Sequence, residues 1–246
     1  MAEVYEQSIA LAFQDFLPNL LRHAWRAIKK TVYIFLIFLP GIFIFIPVFM
    51  MFIGSFSQTW DSRGMSGFTL HNYMDAIYYA KLPIWISLKV SVLTVAIDVI
   101  IGIPFAYALV RFPFRGKSIL EELINLPIIV PGLVIGMAIL KSLNFLYGGW
   151  LIIVCGHVIW TLPFVIWPVV NVLESFDFVS LEKAALTLGA SRLKLMFVVV
   201  LPNIALAASS GAAMAFIISF SEFNGTFLLA SGANMPVSAS LYSAAT

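Results

Sequence analysis

The sequence predicts an all-α polytopic membrane helix bundle of about five spans, and three observations predict it. Residues of the types AVILMFWYC make up 61% of the 246, and Asp, Glu, Lys and Arg only 11%, where a soluble domain carries about 25% charge. The mean hydropathy is +1.01. The apolar residues also fall in runs near the ~20 residues a helix needs to cross a hydrocarbon core. So much apolar surface cannot be hidden inside a soluble particle, which excludes a soluble enzyme, a nucleic-acid binder and a disordered chain. The formal net charge of +2 leaves no polyanion-binding face. A single cysteine, Cys155, excludes a disulfide framework and a cysteine–metal cluster.

Residues 1–30 read as a cytoplasmic amphipathic N-terminal segment, broken at Pro18 and ending in Arg22, Arg26, Lys29 and Lys30. It lies on the membrane surface or extends as a solvated tail. Residues 31–53 form the first span. They do not read as a cleaved signal peptide, because the run begins late, is too long and lacks a small-residue cleavage site. Residues 54–83 form an external loop of uninformative composition. A core domain, 84–246, holds the remaining spans: 84–110, about 119–140 with Glu121 and Glu122 at its entrance, 151–173, and roughly 203–221. The apolar stretch 193–201 is too short to span, and the residues after Phe223 do not make a convincing crossing. Pro127, Pro131, Pro163 and Pro168 are expected to break the third and fourth spans.

Orientation follows the Lys/Arg bias of short loops. With the N-terminus inside, ten basic residues lie on inner segments, among them Arg111, Arg115, Lys117, Lys183, Arg192 and Lys194, against Arg63 and Lys81 outside. Lys89 and Lys141 sit near outer helix ends, where they can snorkel.

The inner loop 174–202 carries the clearest motif. Ser180 is placed to cap a short helix over LEKAALTL, and Gly189 to end it where a positive φ costs little. Ser191 can cap a second helix, which Pro202 limits. Ala184 and Ala185 permit close approach of another protein. The residues Ala184, Ala185, Gly189, Val199, Leu201 and Pro202 have the spacing of a known loop: the segment resembles the EAA loop of permease subunits of type I ABC importers. Residues 126–137, LPIIVPGLVIGM, resemble the Pro-broken core helix of the same permeases, and residues 101–117 the end of a helix and its basic turn. The resemblance covers about residues 70–242 and is strongest to the branch carrying polyamines, ferric ion, thiamine, sulfate, molybdate or aminoethylphosphonate. It implies the type I ABC importer permease fold, with a sixth helix that this sequence does not contain.

The resemblance further implies a coupling helix that docks on an ATP-binding subunit, through Glu182, Lys183, Ala184, Ala185, Gly189, Ala190, Ser191 and Arg192. Here Lys183 replaces the family Glu, with Glu182 one place earlier, so the capping box with Ser180 is lost. The implied partners are an ATPase dimer, a second permease subunit (a copy or a homologue), an external solute-binding protein and membrane lipid. The implied location is a bacterial-type cytoplasmic membrane. The chain has no phosphate-binding G-x-x-x-x-G-K-[ST] loop, so it is not itself expected to be an enzyme or to bind a cofactor; ATP and Mg belong to the ATPase.

Intramembrane polar residues are functional candidates. Asp98, mid-helix, either lines the pathway or a subunit interface, or makes a helix–helix hydrogen bond. Asn125 and His157 have the same two readings. The last span, rich in Ala, Ser and Gly, ends in Ser219, Ser221, Glu222 and Asn224. Glu222 is either a contact for a cationic solute, such as a polyamine, or a solvated helix end. The competing function is a self-contained secondary transporter or channel, which needs paired midplane charges or inverted repeats.

Overall fold

A computed structural model describes the backbone of residues 2–62, 64–175 and 178–245, and side chains from residue 25 onward except 27, 63, 176, 177, 233, 245 and 246. The chain divides into two compact units, 1–76 and 77–246.

In the first unit, α1 (Ala2–Gly54) is a single helix that continues through Pro18, where a break was expected. Whether its first part is amphipathic on a membrane surface depends on side chains outside the described residues. Within it, Ile28–Gly54 is long and apolar enough to cross a membrane, and none of its most apolar window is buried in the chain. Such a helix, apolar on every side, suits lipid and not water. The expected external loop contains an antiparallel hairpin, β1 (Ser57–Asp61) with β2 (Gly64–Phe68), in the register Ser57↔Phe68 and Thr59↔Ser66. Gly64 at φ 112° and Gly67 at φ 66° take backbone conformations that other residues avoid. Neither strand alternates apolar with polar residues, so the sequence carried little strand signal.

Helix α2 (His71–Arg111) begins in the first unit; in the second it leads to a helix pair, α3 (Lys117–Ile129) and α4 (Gly132–Ser142), bent by 106°. The bend sits where Val130 is extended (φ −79°, ψ 130°), the conformation that a following proline imposes. The expected third span is therefore two helices, either one broken crossing or a re-entrant loop. Of the four prolines expected to break helices only Pro131 does. Pro127 lies inside α3, and Pro163 and Pro168 inside α5 (Trp150–Ser175).

Next come α6 (Phe178–Thr187), α7 (Arg192–Leu195), a π-turn (Met196–Val200) and α8 (Leu201–Ser221), then α9 (Asn224–Leu229) and α10 (Val237–Ala245). Pro202 does not stop the second loop helix: Arg192–Ser221 is one apolar rod of 30 residues. The proline has no N–H for the preceding turn, which has the π form, and Asn203 Nδ2 donates to the Val199 carbonyl at 2.7 Å. Stretch 193–201 is thus the start of the last long helix, not a separate segment.

Helix α5 is the centre of this unit, with 56% of its most apolar window buried, against 28% for Arg192–Ser221. One apolar cluster joins its second half to Ala106 and Leu109 of α2 and to Val200, Ile204 and Ala208. Another joins its first half to Ile86 and Val90 of α2, Ile139 of α4 and Leu229 of α9. Small residues set these approaches. A Cβ on Gly211 would lie 2.6 Å from the Phe164 carbonyl oxygen and 3.0 Å from Val165 Cα. Gly211→Ala is therefore expected to force α8 off α5 and lose about 1–3 kcal/mol. Thermal unfolding in detergent measures it, with Gly41→Ala as the neutral control, since a Cβ there meets nothing within 4 Å.

Candidate functional site

The loop between α5 and α8 folds as a helix–turn–helix. Helix α6 already includes Ser180, which is therefore inside the helix and not its N-cap. It closes in a Schellman turn: Ala190 N–H donates to the Ala185 carbonyl at 3.0 Å and Gly189 N–H to the Leu186 carbonyl at 2.9 Å, with Gly189 at φ 79°. Ser191 caps α7, accepting from Lys194 N–H at 3.3 Å. Lys183, Ala184, Thr187, Leu188 and Gly189 face outward, Leu188 with 88% of its surface exposed. Ala185 instead packs on the chain's own core. Of the two alanines, only Ala184 offers an open surface.

Glu182 points inward. Its Oε1 accepts from the Tyr107 hydroxyl at 2.5 Å and from Arg111 Nε at 3.1 Å. The Arg111 and Glu182 side chains are only 10% and 17% exposed, and the guanidinium lies over the Tyr107 and Phe178 rings. The end of α2 is thereby bolted to α6, one residue before the position where the family Glu is replaced by Lys183. A groove of about 440 Å³ lies beside this pair and reaches Arg192.

The intramembrane polar candidates separate into distinct groups. Asp98 is fully buried; its Oδ2 lies 2.5 Å from the Thr161 hydroxyl, which lies 2.7 Å from the His157 carbonyl. The His157 ring bridges Ser219 Oγ through Nδ1 and Thr226 Oγ1 through Nε2, each at 2.7 Å, and Ser219 meets Ser91 at 3.2 Å. Thr226 donates its hydroxyl and its N–H to Glu222 Oε2 at 2.5 and 2.8 Å, and Gly225 N–H donates to Oε1 at 3.0 Å. The Glu222 carboxylate thus caps α9 from a half-buried position and ends a hydrogen-bonded chain running into the bundle. Asn125 stands apart, accepting from Trp167 Nε1 at 2.7 Å. Ser221 bonds back to the Ile217 carbonyl, and Asn224 opens α9. A separate cavity of about 490 Å³ is lined in part by Trp167, Asn171, Ser210 and Met214, with no acidic side chain among its lining residues.

Sequence reading missed Thr161, Thr226, Ser91 and the structural part played by Glu182. A signal for Ser91 was present. Ser87, Ser91, Thr94 and Asp98 recur at helical spacing, and all four are buried on one stripe of α2.

Removing the Glu182 carboxylate leaves a nearly buried guanidinium without its partner, a strongly destabilising change. Glu182→Ala is expected to raise amide exchange across 178–195 by at least about tenfold, a loss of roughly 1.4 kcal/mol. Hydrogen-exchange mass spectrometry of the detergent-solubilised protein measures it.

The family model of the binding-protein-dependent transport system inner membrane component matches residues 98–246. The molybdenum transport system permease protein of Escherichia coli (strain K12) is 34% identical over 166 residues, covering 61% of this chain and 71% of its own. The molybdate/tungstate transport system permease protein of Pyrococcus furiosus is 30% identical over 189 residues, covering 76% and 72%. The spermidine/putrescine transport system permease protein of Escherichia coli (strain K12) is 28% identical over 188 residues, covering 73% and 69%. In fold, the chain is similar to one in the crystal structure of a bacterial ABC transporter involved in the import of the acidic polysaccharide alginate. That match has a TM-score of 0.64 and 19% identity, and covers 87% of this chain and 78% of the other. The all-α bundle with its broken third helix is the type I ABC importer permease fold, and the chain belongs to the family of inner membrane components of binding-protein-dependent transport systems, the permease subunits of ABC importers.

Proposed function

We propose that this permease subunit moves a small charged solute, delivered by an external binding protein, and that residues 174–202 couple it to an ATPase dimer on the cytoplasmic side. The observation that carries the reading is the division of α6 into two faces. Lys183, Ala184, Thr187 and Leu188 are exposed, while Glu182 fastens the same helix to Arg111 and Tyr107 at the end of α2. A partner gripping the outer face would pull on the bundle through a near-buried ion pair and not through a slack loop. The N-terminus and the basic segments lie inside. Two permease subunits, identical or homologous, enclose the path, and rocking between inward- and outward-open states carries the solute through. ATP and Mg remain with the ATPase. Gly189 tests this, because it needs its positive φ and a side chain there meets nothing within 4 Å of its Cβ. In the assembled transporter Gly189→Trp is expected to lower solute-stimulated ATP turnover by about tenfold relative to Gly189→Ala, which carries the same backbone strain without the bulk, within the 1–3 kcal/mol typical of site–site coupling. Undiminished turnover would remove the docking role.

For the solute, the reading moves from a polyamine to a small oxyanion. The preference for a cation rested on Glu222, whose oxygens hold the start of α9. The 490 Å³ cavity offers neutral polar groups at Asn171 and Ser210 and no acid. Relatives at 30–34% identity are named for molybdate, tungstate and sulfate, against 28% for the spermidine/putrescine permease. In proteoliposomes holding the assembled complex and its binding protein, ATP-driven uptake of molybdate or sulfate is expected, without competition from spermidine. Spermidine uptake in the absence of oxyanion uptake would reverse the assignment.

A further inference from the structure

The contacts of Asp98 do not balance if it is a carboxylate. A threonine hydroxyl has one proton to donate and lone pairs to accept with. Thr161 Oγ1 lies 2.7 Å from the His157 carbonyl, four residues back on α5, and that oxygen can only accept. The same Oγ1 lies 2.5 Å from Asp98 Oδ2. One proton serves both contacts only as a bent three-centre bond, which leaves a 2.5 Å contact poorly aligned. If it goes to Asp98, two oxygen lone pairs face each other at 2.7 Å. If it goes to His157, the 2.5 Å contact needs a second proton, and only the Asp98 carboxyl can supply it.

The surroundings agree with the second arrangement. Asp98 is fully buried, and its other oxygen, Oδ1, has no hydrogen-bond partner. No ion pair among the described residues involves it. The nearest basic residues of α2 are otherwise engaged: the Lys89 ammonium sits 3.7 Å from the Trp150 ring centroid, and Arg111 pairs with Glu182. A buried carboxylate with one shared proton and no cation is among the costliest groups a bundle can hold. A neutral acid with one unpartnered carbonyl oxygen is far less so.

We infer that Asp98 resides in the bundle as an uncharged carboxylic acid, donating its proton to Thr161 Oγ1, which in turn donates to the His157 carbonyl. The three groups form a directional chain, each bond polarising the next, that bolts α2 to α5 one turn from His157. Asp98 is on this account a positioning residue for the moving bundle, not a charged contact for the solute. The inference depends neither on the coupling assignment nor on the identity of the solute.

The test is infrared spectroscopy of the purified transporter complex at neutral pH, comparing wild type with Asp98→Asn. The difference spectrum is expected to show a carboxylic-acid carbonyl band that only the wild type has. Thr161→Val should move that band towards the position of a free acid, and Thr161→Ser should leave it in place. Asparagine presents an N–H where the acid presents its O–H, so Asp98→Asn is expected to keep transport-coupled ATP turnover within about twofold, while Asp98→Leu lowers it by about tenfold or more, having left Thr161 without its donor. Absence of the acid band, or a band unmoved by Thr161→Val, overturns the protonated state. An asparagine variant as impaired as the leucine variant, or a leucine variant as active as wild type, overturns the bolt.

Discussion

Hydrocarbon offers no hydrogen-bond partners, so each polar group inside a membrane bundle has to be satisfied by another part of the chain. The core of this permease is organised around that constraint at His157. Both ring nitrogens are engaged, one by Ser219 of α8 and the other by Thr226 of α9, and the backbone carbonyl of the same residue meets Thr161. Through these contacts α5 is held to α8 and α9, and through Ser91 and Asp98 to α2. Apolar packing supplies the bulk of the contact, but it is smooth and permits sliding. The hydrogen bonds fix which turn of one helix faces which turn of the next.

The spans and the helix–turn–helix between α5 and α8 were legible because they depend on local chemistry. Apolar runs of fixed length, a glycine where φ must be positive, and a serine ahead of Arg192 leave their mark over a few residues. The four prolines read alike in sequence yet act differently: only Pro131 follows a residue that is extended, while Pro163 and Pro168 lie within the most buried of the long helices. The π-turn was invisible for a similar reason: it is a compromise between Pro202 and the packing of Val200 and Ile204 on α5. Glu222 shows the limit most plainly. Its sequence neighbours suggested a helix end open to solvent or solute, and nothing in them announced the two N–H groups of α9 and the Thr226 hydroxyl that it accepts from.

The exchange at positions 182 and 183 has a geometric sense. Consecutive residues on a helix point about 100° apart, so an acid moved back by one residue leaves the exposed face and enters the groove where Arg111 lies. The charge serves the chain's own architecture, and Lys183 in its former place changes the sign of the surface offered to a partner.

The exposed helix Ile28–Gly54 has a consequence for how the protein is made. It buries no part of its most apolar window in the chain, and Gly41 has nothing near it. Its apolar surface is free to meet lipid or another subunit, and a helix this long and apolar can insert as an independent first stage before helices associate.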